Sequence, residues 1–327
     1  MSITSGGSPS AEDSSDPRER SARDFVLAID FGGTKVALAT ADFAGNLLEQ
    51  TRIETHASQG AQQVLERSIL AARPLIERTA ARRNGQCVAA GVISPGVILP
   101  DKILLAPNVP GWGELALLES MRAGLHMSQV AVGNDVKAAA AAEVRWGNLQ
   151  GADPAIYLSL GTGIAVALVV GDQVITGAHG ASGEFGYNLR SVADTKGVAD
   201  NCAPLEEFIG GKSLGERGSL ILGDTLSTAE LFASSDQRAR ALIDEALAEL
   251  ALHMTNMAIV LDPARIAVGG GWMAAGERIL EALNTHFRFA VPFPPEVVPA
   301  RFVEDASLLG AVALALSAFP DLIRTNE

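Results

Sequence analysis

The amino-acid sequence predicts an α/β protein made of two related halves, and three observations carry that prediction. A length of 327 residues, at roughly 100–200 residues per domain, suggests two domains with ample core. Short apolar runs rich in strand formers alternate with long helical stretches, as in sheets covered by helices. A unit of strand, Gly/Thr turn, strand, tight turn and strand occurs twice, roughly 130 residues apart, which implies internal duplication.

Residues 1–23, rich in Ser, Gly, Pro and charge, cannot bury enough apolar area to offset ordering entropy and are expected to form a disordered tail. Phe25–Asp30 is the first predicted strand and runs into Gly32-Gly33-Thr34. Val36–Ala41 follows, and Gly45-Asn46 turns the chain toward a third strand near Gln50–Thr55. Ala61–Arg83 carries apolar residues at Val64, Ile69, Leu70 and Ile76 and reads as a helix that Pro74 kinks or divides. Cys87–Ile93 and Val130–Val132 read as buried parallel strands, each ending in a polar turn.

The second half begins with Ile156–Leu160, then Gly161-Thr162-Gly163, Ile164–Val170, a Gly171-Asp172 turn, and Gln173–Thr176. A long helix over about Asp236–Leu261 is stopped by Asp262-Pro263. The strand Arg265–Val268 then leads into Gly269-Gly270-Gly271.

Composition excludes several classes of function. Lys and Arg number 25 against 38 Asp and Glu, for a formal charge of −13. Such a surface repels phosphate backbones and anionic lipid, so neither nucleic acid nor a membrane is an expected partner. Cys87 and Cys202, the only cysteines, cannot form a disulfide framework or a four-thiolate metal site. The five histidines never fall at i, i+4, which removes the metalloprotease helix. No apolar run approaches the ~20 residues of a bilayer span, and no signal core precedes the first strand, so a cytoplasmic location is expected.

The chemistry is expected at the turns. Asp30-Phe31-Gly32-Gly33-Thr34-Lys35 combines glycines that let backbone N–H groups approach an anion, a threonine hydroxyl, a lysine, and a carboxylate able to hold hydrated Mg²⁺. Gly161-Thr162-Gly163 offers a matching nest. One such turn is equally an ordinary hairpin, but two in duplicated halves favour a clamp for one nucleotide polyphosphate across a cleft. Asn134-Asp135 ends a strand and opens an Ala-rich helix, where open α/β sheets gather ligands. Asp135 either accepts a proton from a substrate hydroxyl or merely N-caps the helix, and its local sequence does not choose between these roles. Ser94-Pro95-Gly96, Asn108, Glu184 and Glu206-Glu207 are further polar clusters, each by itself an ordinary loop or helix-start feature. Gly210-Gly211-Lys212-Ser213 lacks the earlier glycine of a P-loop, and Gly180-Ala181-Ser182 has Glu184 where a nucleophile elbow needs glycine.

Taken together, these motifs resemble the ROK family of sugar kinases, repressors and open reading frames, from Asp24 to about Ala318. The resemblance implies a two-domain actin-like ATPase (ribonuclease H-like) fold with duplicated β-β-β-α-β-α halves and an interdomain cleft. Its smaller domain would be 24–135, completed by helix 306–318, and its larger one 136–305. It further implies that Gly32, Gly33, Thr34 and Lys35 form the first phosphate motif, Gly161, Thr162 and Gly163 the second, and Gly269, Gly270 and Gly271 the adenosine turn. Ser94, Pro95, Gly96, Asn108, Asn134, Glu184, Tyr187 and Glu206 would meet the sugar. Asp135 would be the general base and Asp30 would hold Mg²⁺ through water. ATP and a small sugar are the implied partners, and a homodimer the implied assembly.

Three departures from the family pattern matter. A histidine and a cysteine cluster usually bind structural zinc, but Tyr187 replaces the histidine and Cys202 is the only thiol in Gly197–Leu205, so zinc is expected to be absent. That histidine usually also touches the sugar, so Tyr187 alters the acceptor pocket. Lys137 stands where the family often has Asn; it either adds a cation near the acceptor or, as the sequence slightly favours, points into solvent. The residues thus imply an ATP-dependent kinase for glucose or a similar hexose. The alternative acceptors are a modified sugar (kanosamine, N-acetylmannosamine) or a C7-cyclitol. A sugar-sensing repressor would need a DNA-binding domain that residues 1–23 are too short to supply. A non-catalytic sugar-binding sensor fits poorly with the retained Asp30, Asp135 and both phosphate turns.

Overall fold

The computed structural model describes residues 22–106, 108–303 and 306–320. The expected tail, apart from Ala22 and Arg23, lies outside the described residues, as does Pro107. In chain order the first half contains β1 (Phe25–Phe31), β2 (Lys35–Ala41), β3 (Leu47–Glu54), α1 (Ala61–Arg83), β4 (Cys87–Ser94) and the short pair β5 (Val97–Ile98) and β6 (Ile103–Leu104). Then come α2 (Leu117–Leu125), β7 (Val130–Asn134) and α3 (Asp135–Trp146). The second half contains β8 (Ala155–Leu160), β9 (Ile164–Val170), β10 (Gln173–Val174), α4 (Glu206–Ile209), α5 (Gly211–Leu222), α6 (Thr228–Ala233) and α7 (Gln237–Leu261). It ends with β11 (Arg265–Gly269), α8 (Gly276–Ala290), β12 (Glu296–Pro299) and α9 (Ala306–Ala318).

The duplication is visible in topology. One five-stranded sheet has the order β3-β2-β1-β4-β7 and the other β10-β9-β8-β11-β12, so each half places its fourth and fifth strands beside its first in the same sequence. In both, the Gly/Thr turn joins an antiparallel pair, β1/β2 or β8/β9, and the remaining strands run parallel to the first. The fold is the two-domain actin-like type that the resemblance implies. β1 is a continuous apolar run because both of its faces are covered, by α1 and α2 on one side and α9 on the other.

Register fixes the site. Across the parallel strands Asp30 pairs with Ile93, and Ser94 with Asn134, so the carboxyl ends of β1, β4 and β7 carry Asp30, Ser94 and Asn134 side by side. The C-terminal helix α9 packs on β1 and β4 and crosses α3. That crossing needs glycine: a Cβ on Gly310 would stand 2.6 Å from the Ala138 carbonyl carbon.

The structure differs from the sequence expectation at two elements. Pro74 does not divide α1, which runs unbroken from Ala61 to Arg83. Pro74 is exposed, and the carbonyl that loses its i+4 donor belongs to Leu70, itself 62% exposed, so the defect lies on the wet face. The predicted strand Gln173–Thr176 pairs only as Gln173–Val174.

Candidate active site

The two Gly/Thr turns are built alike. In the first, the Gly32 N–H donates to the Lys35 carbonyl at 3.0 Å, and the Thr55 hydroxyl donates to the Gly32 carbonyl at 2.8 Å. In the second, the Gly161 N–H donates to the Gly163 carbonyl at 2.9 Å. Among the described residues the N–H groups of Gly33, Thr34, Thr162 and Gly163 donate to no protein acceptor. Adjacent amides without a protein acceptor at the tip of a hairpin are groups that can receive an anion.

Each turn borders a different cavity. The second, with Gly161 and Thr162, walls an open cavity of ≈ 1580 Å³ between α5, α6 and the start of α8, and Gly271 lies on its rim. The first lines a small cavity with Pro95, Asn108 and Trp112. Gly269 and Gly270 are not lining groups. A Cβ on Gly269 would stand 2.4 Å from the Tyr157 hydroxyl, and one on Gly270 would stand 2.3 Å from the Leu160 carbonyl oxygen.

Asp135 is the first residue of α3, and the cap is Asn134, whose Oδ1 accepts the N–H groups of Val136 and Lys137 at 3.0 and 3.1 Å. The alternative in which Asp135 serves as N-cap is therefore set aside. Both ends of the Asn134 amide are engaged by the protein, since Nδ2 donates one N–H to the Gly96 carbonyl at 3.0 Å. Ser94 is likewise engaged: it is fully buried and its Oγ accepts the Trp112 indole N–H at 2.8 Å. Asn134 and Ser94 thus shape the floor of the site, while Asn108 is exposed beside Gly33.

The electrostatics centre on carboxylates without enough cations. Burial and the Asp135 charge push the Asp30 carboxyl up to about 7, with a Ser307 hydrogen bond opposing. Burial raises Asp135 as well, while the Val136 N–H and the Lys137 ammonium pull it back. Glu184 is raised by burial and by Asp135 and Glu206, and lowered by Lys137. Lys137 overturns the solvated expectation. It is 9% exposed, and its Nζ donates to the Gly180 carbonyl at 3.0 Å. Burial lowers the Lys137 pKa, and the charges of Glu184 and Asp135 only partly oppose it. Tyr187 sits in a 3-10 turn near Glu206, Glu184 and Glu207, and burial first, then those charges, raise its phenol.

Among the described residues no group of three or more His, Cys, Asp or Glu could enclose a metal ion. Hydrated Mg²⁺ needs less, since it keeps several waters and takes one or two carboxylates plus phosphate oxygens. Asp30, buried beside the Asp135 carboxylate, fits that role.

Sequence reasoning missed the α4–α6 wall. The Gly211 N–H donates to the Gly161 carbonyl at 3.1 Å and the Lys212 N–H to the Thr162 carbonyl at 3.0 Å. The Trp272 indole N–H also donates to the Gly161 carbonyl, at 3.2 Å, and the Thr228 hydroxyl donates to the Gly211 carbonyl. The signal is Gly210-Gly211, which is not a P-loop but allows close backbone approach to the second turn: a Cβ on Gly211 would stand 2.3 Å from the Gly161 carbonyl oxygen.

The chain belongs to the ROK family, which it matches over residues 26–318. It is 26% identical to a glucokinase of Halalkalibacterium halodurans, with 93% of this chain and 98% of that protein covered. It is 27% identical to an N-acetylmannosamine kinase of Escherichia fergusonii, covering 89% and 98%. Among solved structures, a ROK hexokinase from Thermus thermophilus superposes with a TM-score of 0.78 at 27% identity, covering 91% and 99%. No helix among the described residues is long and apolar enough to cross a membrane.

Proposed function

We propose that this chain is an ATP-dependent kinase that phosphorylates the primary, 6-position-type hydroxyl of glucose or a related hexose. The observation that carries the reading is Asp135: a half-buried carboxylate next to the N-cap Asn134, at the carboxyl edge of the first sheet beside Asp30. Its raised affinity for a proton suits a general base that must take one from a sugar hydroxyl. The free amides of Gly33, Thr34, Thr162 and Gly163 would bind the phosphates, and Gly271 would border the adenosine in the large cavity. Magnesium, held by Asp30 through water, would neutralise phosphate charge. Closure of the halves would exclude water that could otherwise take the phosphoryl group. The names of the relatives, glucokinase and N-acetylmannosamine kinase, support a sugar acceptor.

A second reading keeps the chemistry and changes the acceptor to an amino sugar, an N-acetylhexosamine or a C7-cyclitol. Two residues favour it: Lys137 is buried with its charge near Asp135 and Glu184, and Tyr187 stands beside Glu206. A coupled ADP-release screen with MgATP across glucose, amino hexoses, N-acetylhexosamines and cyclitols tests both. Turnover on glucose at ordinary hexokinase efficiency discards the specialised acceptor. Acceptor-independent ADP release, or none, discards the kinase.

A further inference from the structure

We infer that Glu206, beyond any contact with the acceptor, is a positioning residue for the donor phosphates. Its carboxylate braces the second Gly/Thr turn and joins it to the acceptor side. The inference rests on Gly161–Gly163 being a phosphate-binding turn.

Glu206 opens α4, and its Oε2 accepts the N–H of Ile164, the residue directly after the turn, at 2.9 Å. The backbone is packed down on that oxygen, since a Cβ on Gly163 would stand 2.3 Å from it. The opposite edge of the turn is held from the same segment. The Gly210 N–H closes α4 on the Glu206 carbonyl at 2.7 Å, and the next two amides, of Gly211 and Lys212, take the carbonyls of Gly161 and Thr162. With those carbonyls drawn toward α5 and the Ile164 amide drawn to Glu206, the amides of Thr162 and Gly163 are the ones left for a ligand. Fixed donors cost no reorganisation when an anion arrives.

The other flank of Glu206 faces the acceptor side. The Leu205 N–H donates to the Gly186 carbonyl at 3.1 Å, and a Cβ on Gly186 would stand 2.9 Å from the Glu206 Cβ. The Glu206 charge is felt by Tyr187 and Glu184. One carboxylate therefore touches the donor turn and borders the acceptor segment.

The test is calorimetric binding of MgAMP-PNP to the full chain and to Glu206→Ala, Glu206→Gln, Gly163→Ala and the Glu206→Ala/Gly163→Ala double variant, with melting temperatures alongside. Loss of a charge-assisted brace predicts roughly 10-fold or greater weakening in Glu206→Ala. Glu206→Gln, which keeps an acceptor oxygen, should stay within about threefold of wild type. Gly163→Ala evicts the carboxylate and should match Glu206→Ala, with little further loss in the double variant. If Glu206→Ala does not fold, Gly163→Ala and Glu206→Gln decide alone. Wild-type affinity in Glu206→Ala or Gly163→Ala, with any loss confined to the acceptor KM, overturns the inference and leaves the kinase standing. Failure of the wild type itself to bind MgAMP-PNP removes the phosphate-turn reading, and this inference with it.

Discussion

Asn134 caps α3 in place of Asp135: the asparagine Oδ1 takes the two first-turn amides, while its Nδ2 reaches the Gly96 carbonyl of the neighbouring loop. Asp135 shares one of those amides, since its own Oδ1 accepts the Val136 N–H at 2.8 Å, but only Asn134 holds both. Asn134→Ala should lose the cap and cost about 1 kcal/mol in urea unfolding, whereas Asp135→Asn should leave stability unchanged or improved, because burial opposes its charge. Equal loss in both variants would mean that Asp135 is a structural carboxylate.

Lys137 supplies a positive charge that pulls the Asp135 carboxyl back toward its ordinary range, against burial and the acidic neighbours Asp30 and Glu184, with the Tyr157 phenol also near. Removing it in Lys137→Met should raise the Asp135 pKa further, so the acidic limb of the kcat/KM–pH profile should move to higher pH. Lys137→Arg should restore the limb. An unmoved limb in Lys137→Met would place Lys137 outside the base's environment.

Asp30 gives a pH dependence to stability. Its folded value is about 7 and its unfolded reference 3.8, so between those values the folded chain holds a proton that the unfolded chain has lost. The unfolded state binds fewer protons there, and the nucleotide-free protein loses stability as pH rises through that window. Asp30→Asn removes this cost. Its gain in melting temperature over wild type should be small at pH 4, grow toward pH 7 and level off above. A gain that does not vary with pH would contradict the assignment.

The crossing of α3 and α9 depends on Gly310, whose missing side chain admits the Ala138 backbone. Gly310→Val must push the helices apart and should destabilise the protein by at least about 1–3 kcal/mol, the usual range for overpacking. Because α3 begins with Asp135, kcat should fall with it. An unchanged melting temperature would show the crossing to be loosely packed.

Much of this arrangement was legible in the sequence, and the reason is local. Phe25–Asp30 and Ile156–Leu160 are apolar because both faces of their strands are covered, and the Gly/Thr turns repeat because each half has the same sheet order. Asp135 stood out by its place at a strand's end. What the sequence hid depends on pairing between distant segments. Lys137 is a surface type of residue whose ammonium is drawn inside to the Gly180 carbonyl, and only the fold brings Gly180 to it. Ser94 looked like a ligand group but is held by the Trp112 indole from 18 residues away. Glu206 looked like an acceptor residue, and its bond to Ile164 crosses 42 residues.

The central claim is that Asp135 takes the acceptor's proton, and it is tested most directly by Asp135→Asn with MgATP and the best acceptor from the ADP-release screen. Nucleotide and acceptor binding should persist, while kcat should fall by about 10²–10⁴, the usual worth of a positioned general base. Near-normal turnover with unchanged KM in Asp135→Asn would contradict it.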